Sequence, residues 1–146
     1  MFFIHQTSCI SPQETFSDVK VDLLHPSVDH KLLVIEPAYA GVAVGALRRM
    51  GKASRIGMGT AMQLLQNGPT PDGLIIGTAN GGMEESIRFL KQIIEYNEDM
   101  LTPGSFVQGT PNTISSQIAF ISNNKNYNLT HVHRGLAFEN AVIDLT

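Results

Sequence analysis

The sequence predicts an α/β domain in which helices pack on a mainly parallel sheet. Two observations predict this fold class. Short apolar runs bounded by turn residues alternate along the chain with longer segments of helical periodicity, as in strands joined by helical crossovers. The length of 146 residues fits one compact domain, so we predict a single domain over residues 1–146.

The first half of the chain contains two predicted strands and a long helical region. Phe2–Ile10 is rich in aromatic and β-branched residues and ends at Ser11-Pro12, and Lys31–Pro37 is a shorter apolar run. Helical periodicity extends from Val44 to about Asn67, with a break predicted near Gly51.

The second half alternates more regularly. Pro71–Ala79 is a short apolar run typical of a fully buried strand. A helix from Met83 to Tyr96 follows, and its predicted buried stripe comprises Ile87, Leu90 and Ile94. We interpret Leu101–Thr113 as a loop because of its proline and glycine content.

Three further elements complete the pattern. A helix has Ile114, Ile118 and Ile121 on one face, and Asn126–Val132 is a predicted strand. After a tight turn at Arg134-Gly135 comes a last helix, whose predicted apolar face comprises Phe138, Ala141, Val142 and Leu145.

Composition excludes several classes of function. The net charge is −3 with no basic block, so we expect no nucleic-acid partner. The apolar runs are too short for a membrane span, and no signal peptide is apparent, so we expect no membrane partner and a cytoplasmic location. The single cysteine, Cys9, excludes an internal disulfide, and we interpret it as a small buried hydrophobic residue.

Three groups of residues are candidates for chemistry, each with a structural alternative. The glycine-rich turn at Gly77–Gly82 lacks both common phosphate-binding patterns, so close packing is the alternative. His131 and His133 have strand spacing that suits a shared metal, but further ligands are not evident, and we expect no metal and no cofactor. Arg134 would then pair with a carboxylate such as Glu139.

Serine nucleophiles are the third group. Ser54, Ser115 and Ser116 lie outside the G-x-S-x-G pattern of a nucleophile elbow, and small residues in helices mostly serve packing. From the residues alone, an enzyme acting on a small molecule and a non-catalytic partner subunit remain equally open.

Three stretches, in this order, resemble the N-terminal half of β-ketoacyl-ACP synthases of the thiolase superfamily. "RRMGKASRIGMGTAMQLLQ" (Arg48–Gln66) resembles an R-x-M-x-R helix, and "GLIIGTANGGMEE" (Gly73–Glu85) resembles a strand followed by a G-x-G-x-G-G turn. "TPGSFVQGTPNTISSQIAF" (Thr102–Phe120) is similar to a loop and helix containing S-P-F and a later asparagine. The opening "IHQTSCISPQ" also resembles the family's first strand.

The resemblance implies a thiolase-like half domain that binds acyl-ACP or acyl-CoA thioesters in fatty-acid or polyketide-type synthesis. In "LTHVHRGLAFENA" (Leu129–Ala141), no cysteine occupies the nucleophile elbow, so His133 and Arg134 are the candidate catalytic residues at that position. The candidate substrate-binding residues are Phe106, Asn112 and Ser115.

The resemblance also implies an alternative. The family's late histidines lie in a second half that this sequence does not include, and non-acylating partner subunits of the family replace the cysteine. The alternative function is therefore a non-catalytic ketosynthase partner, similar to a chain-length factor, or an inactive fragment. We expect a homodimer or a heterodimer with a ketosynthase, because the edge of Asn126–Val132 needs cover. The structural alternative to a catalytic role is that His131, His133 and Arg134 form a buried hydrogen-bonded network across the dimer axis.

Overall fold

The computed structural model describes residues 3–16, 26–31, 33–96 and 101–145. Within these ranges, two strands and six α-helices follow one another along the chain. In chain order they are α1 (Val44–Leu47), α2 (Lys52–Asn67), β1 (Gly73–Thr78), α3 (Met83–Tyr96), α4 (Pro103–Gly109), α5 (Thr113–Ile121), β2 (Tyr127–Val132) and α6 (Ala137–Ile143). A 3-10 turn, Arg134–Leu136, joins β2 to α6. None of the described helices is long and apolar enough to cross a bilayer.

The sheet consists of β1 and β2, which pair in parallel. Their register runs from Gly73 opposite Tyr127 to Thr78 opposite Val132. The connection between them contains α3, α4 and α5, as a parallel crossover requires. The predicted parallel α/β arrangement is therefore confirmed, with two strands among the described residues.

The two strands predicted in the first fifty residues do not form. Residues 3–10 and 33–37 adopt no strand, while Phe2 and Leu32 lie outside the described residues. One backbone bond, from the Ile35 N–H to the Ser11 carbonyl (3.0 Å), joins the two segments. A strand needs a neighbour that pairs along its length, and these segments have β propensity without such a ladder.

The core lies between α2, α5 and one face of β1. Met58 and Ile118 are almost fully buried, and Met50, between α1 and α2, joins them. Leu74 and Ile76 of β1 pack against this cluster. Because alternate strand residues point to opposite faces, Gly77 points the other way, towards α6.

The helix pattern is confirmed in α1, α2, α3 and α5, including the break at Gly51. The prediction that residues 101–113 form a loop is wrong, because α4 occupies Pro103–Gly109. Proline is tolerated in the first helical turn, where its missing N–H has no intrahelical acceptor. Phe106 of α4 contacts Phe89 of α3, with ring centroids 5.5 Å apart, and this packing supports the short helix.

The predicted buried stripe of α3 is also wrong, and of the predicted apolar face of α6 only Ala141 is buried. Ile94 of α3 is 81% exposed and Phe138 of α6 is 75% exposed. On α3, Phe89 faces α4 instead, because α4 packs on a face that the apolar periodicity did not identify. On α6, the small residues Ala137 and Ala141 are buried against the sheet.

Candidate functional site

The junction between β2 and α6 extends the sheet beyond its last paired residues. The His133 N–H donates to the Thr78 carbonyl (3.2 Å), and the Arg134 N–H donates to the Ala79 carbonyl (3.1 Å). The Leu136 N–H then donates to the His133 carbonyl (2.9 Å) and closes the 3-10 turn. We call residues 133–136 the elbow, since the chain changes there from strand to helix within one turn.

Arg134 has a left-handed backbone at the elbow, with φ +41°. A side chain in this region costs on the order of 1–3 kcal/mol and persists only where its surroundings enforce it. The hydrogen bonds from the His133 and Arg134 N–H groups to the Thr78 and Ala79 carbonyls hold Arg134 in this conformation. The tight turn predicted at Arg134-Gly135 is present, but the positive φ belongs to the arginine and not to the glycine.

The side chains of the elbow are exposed. Residues His133, Arg134, Gly135 and Leu136 line an open surface pocket. No ion pair joins Arg134 to any carboxylate of the described residues, so the predicted pairing with Glu139 does not form. His133 and Arg134 face solvent in this single chain, so the buried network of His131, His133 and Arg134 across a dimer axis stays a prediction.

His131 has a different environment from His133. Its Nε2 is buried, lies 3.6 Å from Asp144 Oδ2 and makes no hydrogen bond. The Tyr127 hydroxyl donates to the same carboxylate oxygen (3.1 Å). Burial and this hydrogen bond raise the pKa of Tyr127. The described residues contain no group of three or more His, Cys, Asp or Glu that could hold a metal ion, so the pair of histidines lacks further ligands.

Ser115 connects α5 to β2. It is fully buried, and its hydroxyl donates to the Asn112 carbonyl (2.9 Å) while lying 3.1 Å from the Thr130 hydroxyl. Its carbonyl accepts a bond from the Asn128 side-chain amide (3.2 Å). Ser115 is thus an internal hydrogen-bonding residue, and its partner Thr130 lies on β2 three positions before His133.

The other two candidate substrate residues lie on the surface. Phe106 is 60% exposed on α4, which packs on α3 and α5. Asn112 precedes α5 and is exposed, and its side chain makes no capping bond. The structure therefore brings Ser115 to the strand that leads to the elbow, whereas Phe106 lies on a helix that packs away from the sheet.

The glycine-rich turn serves close packing. A Cβ on Gly77 would lie 2.8 Å from the carbonyl carbon of Ala137, and one on Gly82 would lie 2.7 Å from that of Gly109. Gly81 has φ +58°, and its N–H donates to the Thr78 hydroxyl (3.1 Å). These contacts support the structural alternative to a phosphate-binding loop at this turn.

Cys9 is exposed, so its interpretation as a buried hydrophobic residue is wrong. Its segment lacks the predicted strand and therefore the sheet that would have covered it. The only thiol of the chain lies in that segment rather than at the elbow.

Two polar clusters were not predicted from the sequence. Glu36 accepts two bonds from the Arg55 guanidinium (2.6 and 2.7 Å) and one from the Tyr39 hydroxyl (2.9 Å). The bonds from Arg55 lower the pKa of Glu36, while burial and the nearby carboxylate raise the pKa of Tyr39 to about 12. No local pattern signals this cluster, because its members come from a loop and from α2.

Gln108 forms the second cluster. Its side-chain oxygen accepts the Gly51 N–H (2.6 Å), and its side-chain nitrogen donates to the Arg49 carbonyl. Beside it lies a shallow cavity, which is lined by Gly51, Ser54, Gly82, Glu85 and Thr113 among others. The side chain of Gln108 therefore joins α4 to the Arg48–Gln66 segment, and residues of all three motif segments line the cavity beside it.

The similarity of this chain to known proteins lies in its structure. No protein family and no curated protein matches the sequence. Among solved structures, the chain is similar to one titled "Ketosynthase (ApeO) in Complex with its Chain Length Factor (ApeC) from Xenorhabdus doucetiae". The TM-score is 0.69 at 13% identity, and the match covers 82% of this chain and 48% of that chain.

The fold is thiolase-like. The α/β half domain that the sequence motifs implied is thereby confirmed. An identity of 13% shows a shared fold and carries no activity with it. The chain spans about half the length of the ketosynthase-complex chain that it matches.

Proposed function

We propose that this chain has a ketosynthase-related role and binds acyl-ACP or acyl-CoA thioesters at the elbow. One observation supports this proposal above the others: in a thiolase-like fold, the second described parallel strand leads directly into a turn that begins with the strained, exposed Arg134. Ligands of open α/β sheets bind beyond the carboxyl ends of the strands, and the elbow occupies that position.

The chemistry at the elbow is non-covalent in this proposal. The residues at the turn are His133 and Arg134, and neither is a thiol that could hold a stable thioester. Arg134 supplies a permanent positive charge, and His133 supplies a ring nitrogen beside it. Phe106 and Asn112 are proposed to contact the acyl chain or a dimer loop, and Ser115 holds α5 on β2 beneath the site.

The test combines calorimetry with intact mass. We expect butyryl-CoA to bind the purified chain, and the mass of the protein to remain unchanged after incubation. A covalent adduct that survives the Cys9→Ala substitution would show a nucleophile at another residue. Absence of binding to both butyryl-CoA and a butyryl-carrier protein would refute the proposal.

A second candidate function is that of a non-catalytic partner of an active ketosynthase. The observation that favours it is the location of the single cysteine, which is exposed in the N-terminal segment and absent from the elbow. Co-expression with a cysteine-bearing ketosynthase encoded nearby would test it. Co-purification at equal stoichiometry would support this function, and two proteins that elute separately would contradict it.

A further inference from the structure

We propose that the elbow selects an acyl group that ends in a carboxylate, and that the Arg134 guanidinium binds this carboxylate without forming a covalent bond. This inference rests on the proposed function and names the class of substrate for the same site. Three features of the elbow support this assignment: the backbone of Arg134, the missing ion-pair partner of its guanidinium, and the position of the elbow beyond the paired strands.

The setting of Arg134 differs from that of the other non-glycine residues with positive φ in the described ranges. Asp29 and His30 form the two-residue turn between the bridged Val28 and Lys31, and Asn123 follows the C-terminus of α5. Left-handed residues are expected in such turns and caps. Arg134 instead occupies a strand-to-helix junction, and the adjacent Gly135 does not take the left-handed position.

Strain of this kind is concentrated at functional sites, because a relaxed residue would otherwise be favoured there. A glycine at position 134 would adopt the same backbone without penalty. The arginine therefore stabilises the fold less than a glycine would. We therefore assign the presence of an arginine at this position to a contact between its side chain and a ligand.

The guanidinium of Arg134 is available for a ligand. Arg55 pairs with Glu36, and Arg88 pairs with Glu84 and Glu85, whereas no described carboxylate pairs with Arg134. An unpaired guanidinium presents parallel N–H donors that fit the two oxygens of a carboxylate. The pocket contains one permanent cation, which balances the single charge of a carboxylate better than a phosphate dianion.

The position of the pocket fits an acyl chain. It opens beyond the carboxyl ends of β1 and β2, next to the bonds that anchor His133 and Arg134. Leu136 lines the same pocket and is 55% exposed. An apolar surface beside a cation suits a ligand whose methylene groups lead to a charged end.

Two thioesters of equal carbon number test the inference. Succinyl-CoA and butyryl-CoA share the same phosphates and pantetheine arm, and succinyl-CoA has a carboxylate in place of the terminal methyl group. We expect wild-type protein to bind succinyl-CoA at least about tenfold more tightly in calorimetry, as one charge-assisted pair provides. Arg134→Gly and Arg134→Gln should bring the ratio of the two dissociation constants close to one, and this ratio, rather than the affinity for butyryl-CoA, is the readout.

Thermal unfolding of the same variants separates binding from structure. Arg134→Gly should unfold at the same temperature as wild type or higher, because glycine removes the strain. A lower unfolding temperature for this variant would show a structural role for the arginine and overturn the inference. Arg88→Gln, at an exposed arginine on α3, serves as the control and should leave the preference unchanged.

The remaining outcomes distinguish the two proposals. Equal binding of both thioesters, unaffected by Arg134→Gln, would refute the carboxylate site and leave the proposed function standing. Equal binding that falls for both thioesters in Arg134→Gln would assign the guanidinium to a CoA phosphate, which also overturns the inference. Absence of binding to either thioester would refute the proposed function itself.

Discussion

Gly77 shows how one residue determines the distance between the sheet and α6. The backbone of Ala137 occupies the space that any side chain at position 77 would need, and backbone cannot rotate away. We expect Gly77→Ala to lower the free energy of unfolding by about 1–3 kcal/mol, as overpacking does.

The control for this substitution is Gly104→Ala. Gly104 lies in α4 with open space around its Cβ position, and alanine favours helix over glycine. Chemical denaturation should show Gly104→Ala to be at least as stable as wild type. Equal stability of the Gly77 variant and wild type would contradict the close approach of α6.

The cluster of Glu36, Tyr39 and Arg55 makes stability depend on pH at the alkaline end. The pKa of Tyr39 is raised from 10.0 to about 12, so the folded state favours the neutral phenol. The contribution of the Tyr39 phenol to the free energy of unfolding is fully present below pH 10. It is lost as the pH rises from 10 to about 12. Tyr39→Phe removes the titrating group.

We therefore expect the difference in unfolding free energy between wild type and Tyr39→Phe to narrow across this alkaline range. Denaturant titrations at a series of pH values would measure it. Tyr127, whose pKa is also raised, is present in both proteins and cancels in the comparison. A difference that stays constant with pH would show that Tyr39 is not coupled to folding.

At the scale of elements, Gln108 holds the end of α4 against the junction of α1 and α2. Removing its side chain leaves the Gly51 N–H and the Arg49 carbonyl without their partner. Because the site is partly open to water, we expect Gln108→Ala to cost about 1 kcal/mol. Val107→Ala, at a neighbouring residue that is 57% exposed, should change stability by less than about 0.5 kcal/mol.

Urea unfolding of both variants would check this prediction. Equal costs for the two substitutions would mean that any truncation of α4 has the same effect. A selective cost for Gln108 would show that α4 is joined to the first helices through polar contacts. That outcome would explain why a helix without a single buried residue forms at all.

The elements that could be predicted are those with a strong local signal. β1, α3 and β2 follow from apolar runs and helical periodicity bounded by glycine, proline and asparagine. α4 could not be predicted, because its Pro-Gly start indicates a loop and its support comes from Phe89, which is distant in sequence. The two N-terminal strands were predicted from propensity, which does not provide a neighbouring strand.

The candidate site was predictable in position and not in conformation. The motif around His133 and Arg134 located the strand-to-helix junction where the structure has it. The positive φ of Arg134 depends on bonds to Thr78 and Ala79, more than fifty residues away. No local pattern contains that information, and a sequence argument would have assigned the left-handed position to Gly135.

At the scale of the whole molecule, α6 presents apolar side chains that no other described part of this chain covers. Ala137 and Ala141 are buried on the sheet, while Phe138, Val142 and Leu145 at its end are 43–75% exposed. Contiguous exposed apolar side chains of this kind are typical of a surface that contacts a partner. We therefore expect the purified chain to associate, with α6 contributing to the contact.

Two adjacent residues of α6 separate association from folding. Ala141→Glu places a carboxylate against the sheet, and we expect it to lower the free energy of unfolding by more than about 3 kcal/mol. Val142→Glu places the same group on the exposed side, so stability should change by less than about 0.5 kcal/mol.

Light scattering should show the mass of the Val142 variant falling towards that of one chain. A folded Val142 variant that keeps the wild-type mass would exclude this face of α6 from the contact. Val132→Glu, at the exposed end of β2, would then test the strand edge in its place.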